Sequence, residues 1–143
     1  MGFKRLLRFP ARAVAAVLIL AFAVGCGGDS GSGPPVYSGS SIYFEERDGQ
    51  PVAVFEISIS DGNGDPYTKG LLVESTAFTP GASFPVLKAN QGGKVIIILD
   101  LSTPGDYRVA IESFIDPDSQ VSPPDPDSTE LGGKVLLTYN YAP

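Results

Sequence analysis

The apolar residues after Ser41 recur with a period of two, and this alternation limits the fold more than any other feature. The segment from Val52 to Ser60 is the clearest case, because its odd-numbered residues are apolar: Ala53, Phe55, Ile57 and Ile59. Such alternation is typical of a β-strand with one buried face, and no window has the 3.6-residue period of an amphipathic helix. The sequence therefore predicts an all-β domain.

Further strands are predicted at residues 42–44, 71–74, 84–87, 94–101, 107–114 and 134–141. The run Lys94 to Leu101 is almost continuously apolar and β-branched, which predicts a central strand buried on both faces. Turns rich in Gly and Pro separate the strands, and Asp116 to Gly133 is predicted to be a long polar loop. Short strands joined in this way predict an antiparallel β-sandwich of about seven strands.

The beginning of the chain is of a different kind. Four cations precede a short apolar run from Ala13 to Cys26: Lys4, Arg5, Arg8 and Arg12. The run is too short to span a bilayer, which needs about 20 residues, and the pattern is that of a secretory signal peptide. After Cys26, the Gly- and Ser-rich stretch to Ser40 is predicted to be a flexible tether.

The end of the apolar run, Ala23-Val24-Gly25-Cys26, resembles the lipobox of bacterial lipoproteins. The resemblance implies cleavage before Cys26 and covalent lipid on this residue, and two or more acyl chains anchor a protein stably. Gly27 follows the cysteine, which by resemblance to enterobacterial sorting favours the outer membrane. An ordinary signal peptide cut near Ala23 and an N-terminal membrane helix stay open as alternatives.

The predicted organisation is therefore a signal peptide at residues 1–25, a lipid-bearing tether at 26–40 and a β-sandwich at 41–143. This chain is predicted to lie in the bacterial cell envelope, where its contact with the membrane is the lipid on Cys26.

Three segments of the predicted sandwich carry short motifs in a defined order along the chain. An alternating strand ends in the turn Asp61-Gly62-Asn63-Gly64-Asp65-Pro66, and Lys69-Gly70-Leu71-Leu72-Val73 follows it. A later strand leads into Pro104-Gly105-Asp106-Tyr107-Arg108-Val109-Ala110. Together they resemble the bacterial immunoglobulin-like domains of the invasin and intimin type, which implies an Ig-like sandwich. In that fold Tyr107 would form a tyrosine corner, in which the phenol makes hydrogen bonds to the backbone nearby in the chain. The alternative is that Tyr107 is simply an aromatic residue of the core.

Composition argues against several kinds of chemistry. The chain has no histidine and one cysteine, which the anchor would use, so Ser-His-Asp and Cys-His sites and the nitrogen and sulfur ligands of zinc are missing. Composition leaves a Ser-Lys pair or a carboxylate pair open, but the acidic residues are predicted to lie in turns, loops and outward strand positions, which favours a solvated surface. After the signal peptide, six cations and sixteen carboxylates give a net charge of −10, which is unfavourable for nucleic acid. We therefore predict a non-catalytic protein with no nucleic-acid partner and no cofactor besides its lipid.

In an Ig-like strand order, the turn at residues 61–65 and the loop at 116–133 lie at one end of the sandwich, where the first strand also begins. That end would collect the weak calcium candidates: Asp61, Asp65, Asp116, Asp118, Asp125 and Asp127. Pro66 and Leu72 stand where an EF-hand loop needs Gly and Glu, which favours an ordinary turn. Two interpretations stay open, a solvated acidic surface and a calcium ion that bridges the loops.

The function that these features favour is a structural or adhesive module that contacts an envelope component or a surface protein. The alternative is an accessory subunit of an envelope transport, secretion or electron-transfer complex. The sequence names neither the partner nor the role.

Overall fold

The structure, a computed structural model, describes residues 33–118, 120–129 and 131–143. Eight strands lie in this part of the chain: β1 Val36–Arg47, β2 Gln50–Ser60, β3 Leu72–Thr79, β4 Ala82–Ala89, β5 Lys94–Asp100, β6 Gly105–Ile115, β7 Val121–Ser122 and β8 Val135–Tyr141. The signal peptide, Cys26 and most of the tether lie outside the described residues. Strand β1 begins at Val36, so the last residues of the predicted tether belong to the sandwich.

The strands form two antiparallel sheets, as the alternation predicts. One sheet has the order β1-β2-β5, and in the other β4, β3 and β6 lie side by side, with β7 and β8 both paired to β6. In a constant-type immunoglobulin sandwich the fourth strand joins the first sheet. Here β4 pairs with β3 through the hairpin at Pro80-Gly81, so the fourth strand extends the second sheet. The prediction of an antiparallel β-sandwich is confirmed.

The core lies between the facing surfaces of the two sheets. Strand β2 is its centre, because β2 has a partner on each side and its predicted inner face is fully buried. The second sheet supplies the opposing residues, among them Val73, Ala77, Val109, Ile111 and Phe114. Burial of aliphatic and aromatic side chains is the main favourable term in folding, at roughly 25 cal/mol per Å² of apolar surface.

Strand β5 is at the edge of its sheet, so the prediction of a central strand buried on both faces is wrong. Val95, Ile97 and Leu99 are buried, whereas Ile96 and Ile98 are 46% and 38% exposed. The reason is that only the inner face of the three-stranded sheet is covered by the other sheet. A continuous apolar run in the sequence does not show whether a second layer of structure covers the outer face of the strand.

Tyr107 closes the core at the end of the sandwich where β5 passes over to β6. Its ring is 1% exposed, and its hydroxyl donates a hydrogen bond of 2.8 Å to the Thr103 carbonyl. The same oxygen accepts hydrogen bonds from the backbone N–H groups of Ser102 and Thr103, at 3.2 and 3.1 Å. Tyr141 packs edge-on against the ring with centroids 6.4 Å apart. These contacts confirm the predicted tyrosine corner.

Candidate functional site

The loop end of the sandwich contains most of the candidate residues. Here β1 begins, β2 leads into residues 61–71, and β6 leads into the long segment 116–134. The contacts are close: a Cβ atom placed on Gly33 would lie 3.2 Å from Gly62 Cα, and Tyr37 N–H donates to the Pro124 carbonyl at 2.6 Å. The two loops and the start of the first strand therefore meet at one end, as the strand order predicts.

The turn after β2 is organised by one carboxylate. Asp61 Oδ1 accepts hydrogen bonds from the backbone N–H groups of Asn63 and Asp65, at 2.8 and 3.1 Å. Backbone bonds from Asp61 N–H to the Asp65 carbonyl and from Gly64 N–H to the Asp61 carbonyl complete the turn. An aspartate that bonds to the backbone two residues ahead is a common way to fix a turn. The geometry agrees with a turn motif rather than with the start of an EF-hand loop.

Two other calcium candidates have the same local role. Asp116 Oδ1 accepts from Asp118 N–H at 2.8 Å, and Asp125 Oδ1 accepts from Asp127 N–H at 3.1 Å. Within residues 33–118, 120–129 and 131–143, no three Asp, Glu, Cys or His side chains are placed together to hold a metal ion. The loops share one end of the molecule, but their described carboxylates serve separate turns. A solvated acidic surface and a calcium ion that bridges the loops therefore stay open as interpretations.

A polar cleft of about 270 Å³ lies between the loops. Tyr67 and Lys69 from the first loop line it together with Asp116 and Gln120 from the second. The pKa of Tyr67 is raised, first because the phenol is desolvated by burial and then because the carboxylates of Asp116 and Asp118 disfavour a negative charge beside them. A tyrosine phenol is protonated at neutral pH with or without this shift, and the cleft presents polar groups from both loops.

Asn90 fixes the wall of this cleft, and the sequence reasoning did not single it out. Its side-chain amide donates to the carbonyls of Tyr67 and Lys69, at 2.8 and 3.1 Å, and its carbonyl oxygen accepts from Gly93 N–H at 3.0 Å. Gly93 has φ +87°, and a Cβ there would lie 2.9 Å from Pro66 Cβ, so only glycine fits. The signal in the sequence is an asparagine two positions before a Gly-Gly pair, Asn90-Gln91-Gly92-Gly93, and such a pattern also occurs in many turns without these contacts.

Two carboxylates of the strands form ion pairs at the surface. Lys94 Nζ lies 2.6 Å from Glu56 Oε1, and Lys134 Nζ lies 2.6 Å from Glu112 Oε2. Exposed pairs of this kind contribute about 0–1 kcal/mol each. They are typical of a solvated strand face.

Cys26, the predicted lipidation site, is outside the described residues. In the part of the chain that the structure describes, no helix is long and apolar enough to cross a membrane. No protein-family model, curated protein or solved structure matches this chain.

Proposed function

We propose that the chain is a lipid-anchored protein of the bacterial cell envelope whose single Ig-like sandwich is a non-catalytic contact module. The observation that carries this proposal is the lipobox-like Ala23-Val24-Gly25-Cys26, followed ten positions later by the first residue of a β-sandwich, Val36. Ten residues span at most about 35 Å when fully extended. An anchor on Cys26 would therefore keep the sandwich close to the membrane.

The position of the first strand supports a particular orientation. Gly33 lies against Gly62, so the tether would leave from the end that carries the 61–71 and 116–134 loops. Those loops would face the membrane. The opposite end, with the hairpins at Asp48-Gly49 and Pro80-Gly81, and the outer faces of both sheets would then be free to contact an envelope or surface protein.

Cell fractionation with Cys26→Ser tests the anchor. We expect the unmodified chain in the membrane fraction and the variant released from it, because acyl chains contribute about 0.8 kcal/mol per buried methylene. Gly28→Ala is the matched control, since it alters the same segment and keeps the cysteine. Membrane retention of Cys26→Ser equal to that of the control would contradict the proposal.

The outer-membrane assignment has a separate test in a cell with two membranes. Gly27→Asp should move the protein from the outer-membrane to the inner-membrane fraction, if the sorting rule inferred from the resemblance applies. An unchanged distribution would contradict this localisation while leaving the anchor untouched.

Cross-linking in intact envelopes, followed by pull-down, tests the contact role. Recovery of one surface or envelope protein in proportion to the bait supports a contact module. Recovery of several subunits of one transport, secretion or electron-transfer complex supports the alternative role as an accessory subunit.

A further inference from the structure

Strand β5 has one backbone edge with no neighbouring strand in the described part of the molecule. The bonds near its ends show which residues face that edge. The Gly93 carbonyl accepts from Ile59 N–H at 2.8 Å, and Leu101 N–H donates to the Pro51 carbonyl at 2.9 Å, so the odd-numbered residues bond to β2. Because bonding alternates along an antiparallel strand, the even-numbered residues face the open edge: Lys94, Ile96, Ile98 and Asp100.

One end of this edge is already occupied. Lys94 exchanges both of its backbone hydrogen bonds with Gln91, at 2.9 and 3.2 Å. The backbone groups that are left for another strand are therefore those of Ile96, Ile98 and Asp100. These three residues are centred on Ile98.

The outer face beside this edge is apolar. Ile96 and Ile98 are 46% and 38% exposed, and Ile98 is aligned with Val54 of β2 and then with Tyr43 of β1. Val54 is 0% exposed although it lies on the outer face, because large neighbours flank it on both sides. Tyr43 is itself 41% exposed, so an apolar row crosses the whole sheet and ends at Ile98.

Two other edge strands of the sandwich, β4 and β1, are interrupted in ways that oppose pairing. The edge strand β4 has Pro85 in its middle, which lacks an N–H group, and β1 has a bulge between Tyr37 and Gly39. Strand β5 has neither a proline nor a bulge. Natural proteins usually protect exposed edges by such devices, so an open apolar edge indicates a surface that pairs.

The charges at the two ends of β5 select the partner. Lys94 is the first residue of the strand and Asp100 is the last, with five apolar residues between them. No ion pair among the described residues involves Asp100. An antiparallel second copy would bring its Asp100 towards Lys94 and its Lys94 towards Asp100, so the strand is complementary in charge to itself.

We propose that β5 pairs antiparallel with β5 of a second copy of this chain, around a two-fold axis at Ile98. In this register Ile98 lies opposite its own equivalent, and Ile96 lies opposite Asp100 of the second copy. The free backbone groups of Ile96, Ile98 and Asp100 are then all paired. Lys94, whose backbone already bonds to Gln91, is not needed for hydrogen bonding between the two copies.

The same register also satisfies the side chains on the outer face. Lys94 is diagonal to Asp100 of the second copy, a separation of about 7–8 Å between backbones that a lysine side chain can bridge. The two apolar rows join at Ile98, so the sheets merge into one and the interface is isologous, as in most two-fold dimers. This dimer does not depend on lipid attachment.

Sedimentation velocity of the full-length chain in density-matched detergent micelles tests the pairing, with protein concentration varied over about three decades. We expect a monomer–dimer equilibrium for the wild type. Ile98→Pro should weaken the dimer at least about tenfold, because it removes the two central hydrogen bonds and leaves bonding to β2 intact. Ile98→Thr keeps the N–H group and is the matched control, with an expected loss of about threefold or less.

A charge exchange tests the register. Asp100→Lys places like charges together in its own dimer, and so does Lys94→Asp, so each variant alone should dimerise at least about tenfold more weakly. Mixed in equal amounts, the two variants restore both opposite-charge contacts, and a heterodimer should form with an affinity near that of the wild type. Lys94→Asp also loses the ion pair with Glu56, and thermal melts show whether this variant stays folded. If it unfolds, the comparison of Ile98→Pro with Ile98→Thr tests the pairing.

A wild type that sediments as a monomer at every concentration would overturn the proposal. So would equal dimer affinity in Ile98→Pro and Ile98→Thr. Folded charge variants that dimerise as well alone as in the mixture would overturn the register at Ile98.

Discussion

Removing the hydroxyl of Tyr107 tests the argument for how this sandwich closes without a disulfide. Tyr107→Phe keeps the buried ring and deletes one donated and two accepted hydrogen bonds at Ser102 and Thr103. An intramolecular hydrogen bond contributes about 0.5–1.5 kcal/mol to stability. Ser102 and Thr103 are exposed, so water replaces part of the loss, and we expect a net loss of about 2 kcal/mol.

The assay is urea unfolding of a segment from Gly31 to Pro143, followed by far-UV circular dichroism. Tyr141→Phe is the matched control. Tyr141 packs against the same ring, and its hydroxyl makes no side-chain hydrogen bond to any of the described residues. We expect the control to change stability by less than about 0.5 kcal/mol. Equal unfolding midpoints for the two variants would refute the claim that the Tyr107 hydroxyl stabilises the corner.

Four further predictions follow from burial and charge. Val109→Asp should unfold the sandwich, since an unpaired carboxylate at a fully buried position costs several kcal/mol, and loss of the β-sheet circular dichroism signal checks this. Ser75→Ala should leave stability unchanged or raise it by up to about 1 kcal/mol in urea unfolding, because Ser75 Oγ is buried and has no hydrogen-bond partner among the described residues. Because the pKa of Tyr67 is raised in the folded chain, the unfolded chain loses the phenol proton above about pH 10 while the folded chain keeps it. The free energy of unfolding should therefore fall as pH rises above about 10, and thermal melts of Tyr67→Phe should show a weaker fall. Melting midpoints in calcium, magnesium and chelator at matched ionic strength should be equal, because Asp61, Asp116 and Asp125 already accept backbone bonds within their own turns; a rise in calcium alone would support the bridged-loop interpretation.

Much of the fold could be predicted because local patterns in this sequence agree with the tertiary structure. The alternation in β2 predicts its inner face correctly, and Gly105-x-Tyr107 predicts the corner because the phenol bonds to residues only four or five positions away. The long loop at 116–133 is also present, although Val121–Ser122 forms a short strand within it. Structural features that depend on residues close together in the chain can be predicted from short sequence patterns.

Features that depend on a distant neighbour could not be predicted. Nothing within β5 tells whether a second layer covers Ile96 and Ile98. Similarly, Val36 extends β1 because it pairs with Ser60, which is far away in the chain. Ser75 is a polar residue in the core, and no period-two pattern predicts a buried hydroxyl without a partner.

The candidate site was predicted in part. Strand order alone places the acidic loops and the chain entry at one end, and the contact between Gly33 and Gly62 agrees. Whether neighbouring carboxylates share a ligand or serve separate turns depends on side-chain directions, which the spacing of Asp61 and Asp65 does not determine. The role of Asn90 depends on backbone carbonyls more than twenty residues away, so it was not visible either.

The central claim, a sandwich held at the membrane through Cys26, is tested most directly by the mass of the N-terminal peptide. The protein is extracted from bacterial membranes, digested, and its first peptide is measured by mass spectrometry. We expect a peptide that begins at Cys26 and carries the added mass of diacylglycerol and an acyl chain. A peptide with unmodified Cys26, or a mature chain that begins at another residue, would contradict it.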